Sequence, residues 1–286
     1  MKGVIAAAGQ GSRLYPLTTC VSKHLLPVYN KPLIYYPLST LISAGIKDIC
    51  IVVNQNELHL YKKLLGNGSN FGCSFEFCEQ KLPKGIPDVL NYSQKVFGNV
   101  PITLILGDNI FPSVDLLSKH TQSKIISGAN VFSIQVEDPS RYGIVQLDKK
   151  MNIINVIEKP KNPRSNLAII GLYVFDENVY EFLSRIKPSK RGELEIIDIL
   201  KIYLSNNKLL LDIIKKGSLW FDAGTPDSLF KASSHIKMLE NQTGEMIGCI
   251  EEAAYFKNLI SKNKMIEQIN LMKNSKYKTY LKELLK

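Results

Sequence analysis

Long apolar runs, paired cysteines and low-complexity tracts are all missing from this chain of 286 residues. Each absence removes a class of protein. No stretch approaches the roughly 20 consecutive apolar residues that span a bilayer, and no hydrophobic signal core stands near Met1. The chain is therefore expected neither to span nor to cross a membrane. The five cysteines, Cys20, Cys50, Cys73, Cys78 and Cys249, are odd in number and scattered, with no C-x-x-C among them. Neither a zinc site nor a disulfide framework has its spacing, so buried or idle thiols in a reducing cytoplasm are expected. Charge alone points toward nucleic acid, with 36 Lys and Arg against 26 Asp and Glu. Residues 257–286, however, hold eight lysines against Glu267 and Glu283, alternating with apolar residues as on a solvated helix face. Most of the excess sits there, and nucleic acid is not an expected partner.

What is present starts at Lys2. Residues 2–7 are short, apolar and followed by glycine, which suits a buried parallel strand. Apolar spacing predicts a helix over 31–44 ended by Gly45, then a strand at 48–53, a helix at 56–65 and a strand at 73–77. A helix at 88–97 and a strand at 102–106 follow. Strand–helix alternation of this kind implies a parallel sheet with right-handed crossovers, whose carboxyl-end loops line the site. After residue 128 the connections shorten. Strands at 130–136, 143–147, 152–157 and 167–175 make the sheet mixed. Helices at about 177–186 and 194–206, strand pieces near 209–214 and 218–221, and a helix from Pro226 to Glu240 complete it. The last 40 residues read as helical. The expectation is an α/β fold, with one domain over 1–240 and a helical appendage over 241–286 packed on it or at a subunit interface.

The chemistry-bearing residues cluster at strand ends. Gly9-Gln10-Gly11-Ser12-Arg13 is neither a Walker loop nor a dinucleotide fingerprint. It is either a tight turn or a turn whose N–H groups close on an anion. Arg13 supplies a planar fork and Lys23 a point charge for phosphate oxygens. Asp108 follows the apolar strand 102–106, and Asp222 follows another apolar run before a glycine turn. Each is either a turn acid or a ligand, and together they can hold one Mg²⁺ against phosphate oxygens. Glu158-Lys159 is either an exposed pair or a sugar and phosphate grip. Gly143 reads as a turn glycine or a backbone contact, and Arg191 as part of a helix-opening segment or a second phosphate grip. His24 reads as a base contact or a packed histidine. Tyr35 and Tyr36 read as core.

With these residues assembled, the chain resembles the bacterial glucose-1-phosphate thymidylyltransferases nearly end to end. The blocks GSRLYPLT, VSKHLLPVYNKPLIYYPLSTL, ILGDNIF, DPSRYGIV, EKP, GLYVFD, KPSKRGELEI and WFDAGT occur in family order. The resemblance implies a Rossmann-like nucleotidyltransferase fold with a mixed, mostly parallel sheet, assembled as a homotetramer. It implies dTTP and glucose 1-phosphate as substrates and Mg²⁺ as cofactor. Gly9, Gly11, Ser12 and Arg13 would wrap the triphosphate, Ala8 would lie near the base with His24, and Lys23 would reach phosphate. Gln80 and Gly85 would read the base, and Asp108 and Asp222 would hold the metal. Asn109, Gly143, Glu158, Lys159, Ile169, Gly171 and Tyr173 would form the sugar-phosphate pocket, with Arg191 a phosphate neighbour. Arg13, Lys23, Asp108, Lys159 and Asp222 would carry catalysis.

Some positions depart from the family. Ala8 stands for a glycine, His24 for a glutamine, Gly85-Ile86-Pro87-Asp88 for Gly-Leu-Ala-Gln, and Ile169-Ile170 for Val-Thr. The base and sugar are where these changes fall, so UTP, CTP or another sugar 1-phosphate is an open alternative. A nucleotide-sugar-binding regulator without turnover is another.

Overall fold

The computed structural model describes residues 1–82, 84–112, 117, 127–215 and 217–286. Strand β1 (Lys2–Ala7) lies inside a nine-stranded sheet. Its run shows no polar alternation because both sheet faces are covered. Val4 and Ile5 are both fully buried, and they belong to different core clusters, one on each side. Strands β4 (Asp48–Asn54) and β6 (Ile102–Leu106) flank β1 in parallel, and β5 (Ser74–Gln80) extends the sheet beyond β4. Helices α1 (Tyr35–Ser43), α2 (Leu58–Leu65) and α3 (Asp88–Phe97) connect and cover these strands. Each fully buried Ile, Leu or Val there contributes about 1.5–3 kcal/mol over an exposed one.

Past β6 the sheet becomes mixed. Strands β8 (Ala129–Gln135), β9 (Gly143–Leu147), β10 (Ile153–Glu158), β11 (Leu167–Phe175) and β12 (Leu209–Ile213) join it. The order runs β10-β9-β11-β6-β1-β4-β5, with β8 on β11 and β12 on β8. The long strand β11 is the seam. Antiparallel pairing joins it to β9 at Leu167 and Ala168, and to β6 from Leu172 to Phe175. Those registers leave Ile169–Gly171 without a ladder partner on that edge. The pairing of β11 with β8 shifts over the same stretch, between Ile169 and Tyr173. Two short antiparallel pairs stand off the sheet. They are β2 (Pro27–Val28) with β3 (Lys31–Pro32), and β7 (Asn109–Ile110) with β13 (Phe221–Asp222). The C-terminal helices Ile250–Phe256, Lys262–Leu271 and Lys276–Leu284 put Ile250, Ala254, Met265, Ile269 and Leu281 into the same core cluster as Ile5 and Ile51. Most of the tail's lysines are exposed, as a solvated helix face requires.

The observed elements correct the expected ones at a few ends. The helix expected from residue 31 starts at Tyr35, because Lys31 is drawn into β3 and buried. Its ammonium meets Glu240 Oε1 at 3.0 Å and donates to the Ile247 carbonyl at 2.8 Å and Asn30 Oδ1 at 2.5 Å. The strand expected at 73–77 starts at Ser74 and runs on to Gln80, placing that side chain at the sheet's edge. The helix expected over 177–186 is confined to Val179–Leu183. Asp222 lies on β13 rather than in the turn after it. Tyr36 is core, its hydroxyl donating to the Val28 carbonyl at 2.8 Å.

Lys31 clips the β2–β3 pair to helix Pro226–Thr243 and to the chain beyond it. Burial pushes the Lys31 ammonium down, and Glu240 opposes that push. Glu240→Ala would strand a buried charge, and a loss of about 3 kcal/mol is expected in urea unfolding. Combining Glu240→Leu with Lys31→Met should recover most of it, since the charge then leaves with its partner.

Candidate active site

Parallel strands end on one edge, and the loops after β1, β5 and β6 meet there. Two cavities open at that edge. One, ≈ 320 Å³, is lined by Ala8, Gly9, Lys23, His24, Gln80 and Gly85. The other, ≈ 250 Å³, is lined by Asn109, Gly143, Glu158, Lys159, Ile169, Gly171, Tyr173 and Asp222. Arg13, Ile86, Leu106 and Asp108 line both and form the wall between them.

Asp108 sits at this wall because the chain leaves β6 through Gly107, whose amide still bonds the Ala6 carbonyl of β1 at 3.0 Å. The Lys23 ammonium lies 2.5 Å from Asp108 Oδ2. Burial works to raise the Asp108 carboxyl, but the charge and hydrogen bond of Lys23, with a bond from Asn109, hold it well below the usual carboxylate range. Asp222 stands beside this arrangement. It pairs with Asn109 across the β7–β13 ladder, and the next amide, Ala223 N–H, donates to the Asp108 carbonyl at 3.0 Å. Burial and the neighbouring Asp108 charge push the Asp222 carboxyl up, against Arg13, Lys23 and Arg141. The Arg13 guanidinium lies against the turn after Asp222. A Cβ at Gly224 would be 2.7 Å from Arg13 Nη2 and 2.9 Å from Asp222 Oδ1, so a side chain there would push both groups aside. Asp108 is buried and Asp222 half-buried, the two are near enough for the charge of the first to act on the second, and Asp222 is incompletely offset.

Asn109 organises the second cavity. Its Oδ1 accepts from Trp220 Nε1 at 2.6 Å and from the Gly171 amide at 3.2 Å, and its Nδ2 donates to Asp108 Oδ1 at 3.0 Å. With Oδ1 committed to donors, the amide can face only one way. The gap in β11 makes this possible, since Gly171 is free of the ladder and bonds a side chain instead. A Cβ there would approach Leu106 Cγ to 2.6 Å. Across the cavity, Lys159 Nζ lies 3.3 Å from Glu158 Oε1. The Lys159 φ of 40° is a backbone conformation that side-chain-bearing residues rarely adopt.

Three expected site residues stand outside both cavities. Gly11 and Ser12 form the turn before Leu14, with Ser12 exposed. Arg191 is held on Glu195, with Nη2 at 2.8 and 2.9 Å from its two oxygens, and lies 3.6 Å from Glu158. Other lining residues were not legible as site residues. Trp220, packed edge-on against Tyr142 at 5.3 Å, faces Asn109 across 111 positions of sequence. Ile196 and Ile197 join Ile86, of the altered segment 85–88, as apolar wall. Asp88, the acid in the altered segment 85–88, turns onto Gln80. Among the described residues no group of three or more His, Cys, Asp or Glu is placed to hold a metal.

The sequence model described as Nucleotidyl transferase matches residues 2–238. Among curated relatives, a glucose-1-phosphate thymidylyltransferase of Neisseria meningitidis serogroup A is 41% identical over 287 residues, covering 100% of both chains. One from Mycolicibacterium smegmatis is 39% identical, covering 100% of this chain and 99% of its own. Among solved structures, a Bacillus anthracis chain assigned as a glucose-1-phosphate thymidylyltransferase, with a bound sucrose, superposes with a TM-score of 0.76 at 39% identity. It covers 82% of this chain and 94% of that one. A UDP-glucose pyrophosphorylase holding UDP-glucose gives 0.73 at 27% identity, over 83% and 98%.

His24 forms part of the first cavity's wall and is 1% exposed. Its Nδ1 lies 3.2 Å from Ser22 Oγ and 3.4 Å from Tyr61 Oη. Burial first, and then the Lys23 charge, lower its pKa from 6.5 to about 3. The unfolded chain binds this proton below pH 6.5, and the folded chain binds it only near 3. Stability from this residue is therefore complete above pH 6.5 and falls by up to about 1.4 kcal/mol per pH unit below it. His24→Gln is expected to flatten the curve of unfolding free energy between pH 6.5 and 4, as measured by urea titration. An unchanged slope would mean that His24 is protonated in the folded protein.

Proposed function

The chain belongs to the nucleotidyl transferase family, and within it we propose the reaction of the glucose-1-phosphate thymidylyltransferases: dTTP and glucose 1-phosphate give dTDP-glucose and pyrophosphate. One observation carries the reading. Arg13 and Asp108 are the common wall of two cavities, one entered by a small-residue turn and one lined by sugar-type hydrogen-bonding groups. Two phosphorylated reactants would meet at that wall.

A phosphate oxygen of glucose 1-phosphate attacks the α-phosphorus of dTTP, and the bond to the β-phosphate oxygen breaks in line. Pyrophosphate leaves with its electron pair, and no proton need move. The protein's contribution is positioning and charge neutralisation. Lys159 holds the attacking phosphate, with Glu158 and Asn109 to accept and donate at the sugar. Arg13 stabilises charge growing on the leaving pyrophosphate, and Lys23 moves from Asp108 onto phosphate oxygens. The donor chemistry fits a hard divalent cation, since two carboxylates line one cavity and Asp222 lacks full compensation. Asp108 and Asp222 would hold Mg²⁺, which would supply a counter-charge for the phosphates.

Family likeness extends the reading to a homotetramer in the cytoplasm. The exposed Phe230 and Leu271 side chains are apolar surface that an assembly would cover. The same likeness divides the chain near residue 240, close to where the family match ends at 238.

Pyrophosphate release measured across dTTP, UTP, CTP and ATP with several sugar 1-phosphates tests the reaction. The fastest turnover is expected with dTTP and glucose 1-phosphate, and it should stop on removal of Mg²⁺. If no pair releases pyrophosphate, the reading fails. Arg13→Ala should lower kcat by about 10²–10³-fold while KM moves only a few-fold, as befits a group acting on the leaving charge. Asp108→Asn should abolish metal-dependent turnover, and near-normal rates would remove it from the ligand set.

A further inference from the structure

We infer that Asp88 fixes the direction of the Gln80 amide and so makes the first cavity prefer, among pyrimidine bases, those with a ring N–H over cytosine. The inference rests on reading that cavity as the nucleotide site.

Gln80 is the last residue of β5 and is 6% exposed. Asp88 is the first residue of α3 and is 9% exposed. Gln80 Nε2 donates to Asp88 Oδ2 at 2.6 Å, and Asn91 Nδ2 donates to the other oxygen at 3.1 Å. The carboxylate is thus gripped from two sides. Its place at the start of a ten-residue helix suits its charge. Pro87, with φ near −61°, leads the chain into that start. Asp88 is not a wall of the cavity, whereas Gln80 is. The acid therefore acts on the base through the amide.

A glutamine amide has an accepting end and a donating end, and it reads opposite patterns when turned over. Its direction is normally a soft choice. A carboxylate offers only acceptors, so it binds the donating end alone. Turning Gln80 over would set carbonyl oxygen against carboxylate oxygen in a place nearly closed to water, where an unmade hydrogen bond is costly. The Oε1 end is consequently the one left for a ligand. Among the described residues, the Gln80 side chain makes no other hydrogen bond. A carbonyl acceptor is met by N3–H of thymine or uracil. At the same ring position cytosine carries a bare lone pair. A neutral amide at position 88 could turn with Gln80 and would impose no direction. Asp88 is a positioning residue in this account, since it touches Gln80 and not the nucleotide.

Equilibrium binding to the intact chain, by titration calorimetry with Mg²⁺ present, tests this. The probes are dTTP, dUTP, dCTP and N3-methyl-dTTP. With the unaltered protein, dTTP and dUTP should bind within a few-fold of each other. Binding of dCTP and of N3-methyl-dTTP should be at least about tenfold weaker, the cost of one lost buried hydrogen bond. Asp88→Asn should narrow the dTTP-to-dCTP ratio by about tenfold. A merely structural role for Asp88 would weaken both nucleotides together and keep the ratio, which overturns the inference. Equal binding of dTTP and N3-methyl-dTTP to the unaltered protein also overturns it, even if Asp88→Asn fails to fold. Should no nucleotide bind at all, the site reading falls with it. Binding and turnover of dTTP with an unaltered ratio sink this inference alone.

Discussion

The contact between Lys23 and Asp108, 2.5 Å long with both side chains 12% exposed, is the interaction around which the candidate site is arranged. A carboxylate withdrawn from water at the end of a buried strand needs a nearby cation. Parallel pairing of β1 and β6 ends the two strands abreast, Ala6 beside Leu106, so the chain leaving β1 can supply it. Arg13, from the same segment, lies near the turn after Asp222, close enough for its charge to pull the Asp222 carboxyl down. Yet Asp222 remains pushed up, by burial first and by Asp108 second. The site thus has one acid offset by a cation that polyphosphate would draw away, and a second acid still short of positive charge. Asp108 and Asp222 would hold a divalent cation there, and its charge would offset both acids as Lys23 turned to phosphate.

Two irregularities in the sheet make room for that chemistry. The first is the gap in β11, where Ile169–Gly171 has no ladder partner on the edge shared by β6 and β9. A continuous ladder would fill this space with backbone. The interruption leaves a cavity instead, and the Gly171 amide helps to lock Asn109. The second is the two-residue ladder of β7 and β13, too short to add much stability but sufficient to lay Asp222 beside Asn109. Trp220 and Tyr142 then close one side as an aromatic pair. The chain's departures from its family fall around these parts. His24 is buried and neutral, packed where a Cβ at Gly107 would come within 2.7 Å of its ring. Asp88 spends its charge on an amide rather than on a ligand.

The wider assembly repeats one theme, in which polar side chains join segments far apart in sequence. Lys31 reaches Glu240, and Trp220 reaches Asn109. Buried polar groups must find partners, and in a sheet with both faces covered these often come from a distant segment. The C-terminal helices are tied in differently, by apolar residues that enter the core beside β1 and β4.

Local apolar pattern was enough for most elements, because a buried strand or an amphipathic helix is encoded by its own residues. Lys2–Ala7, Ile102–Leu106, Asp88–Phe97 and Leu167–Phe175 were all legible for that reason. So were the acids and cations at strand ends, and the turn at Gly9. Two-residue strands such as β7 and β13 carry no period to detect, and the start of α1 depended on a partner 209 positions away. The residue types available for a phosphate and metal site were therefore written in the sequence alone. Which of them share a wall, and which way the amides of Gln80 and Asn109 face, were decided only by tertiary structure. Direction and proximity arise where strands, helices and loops pack together, and the order of residues along the chain does not say which of them will face each other.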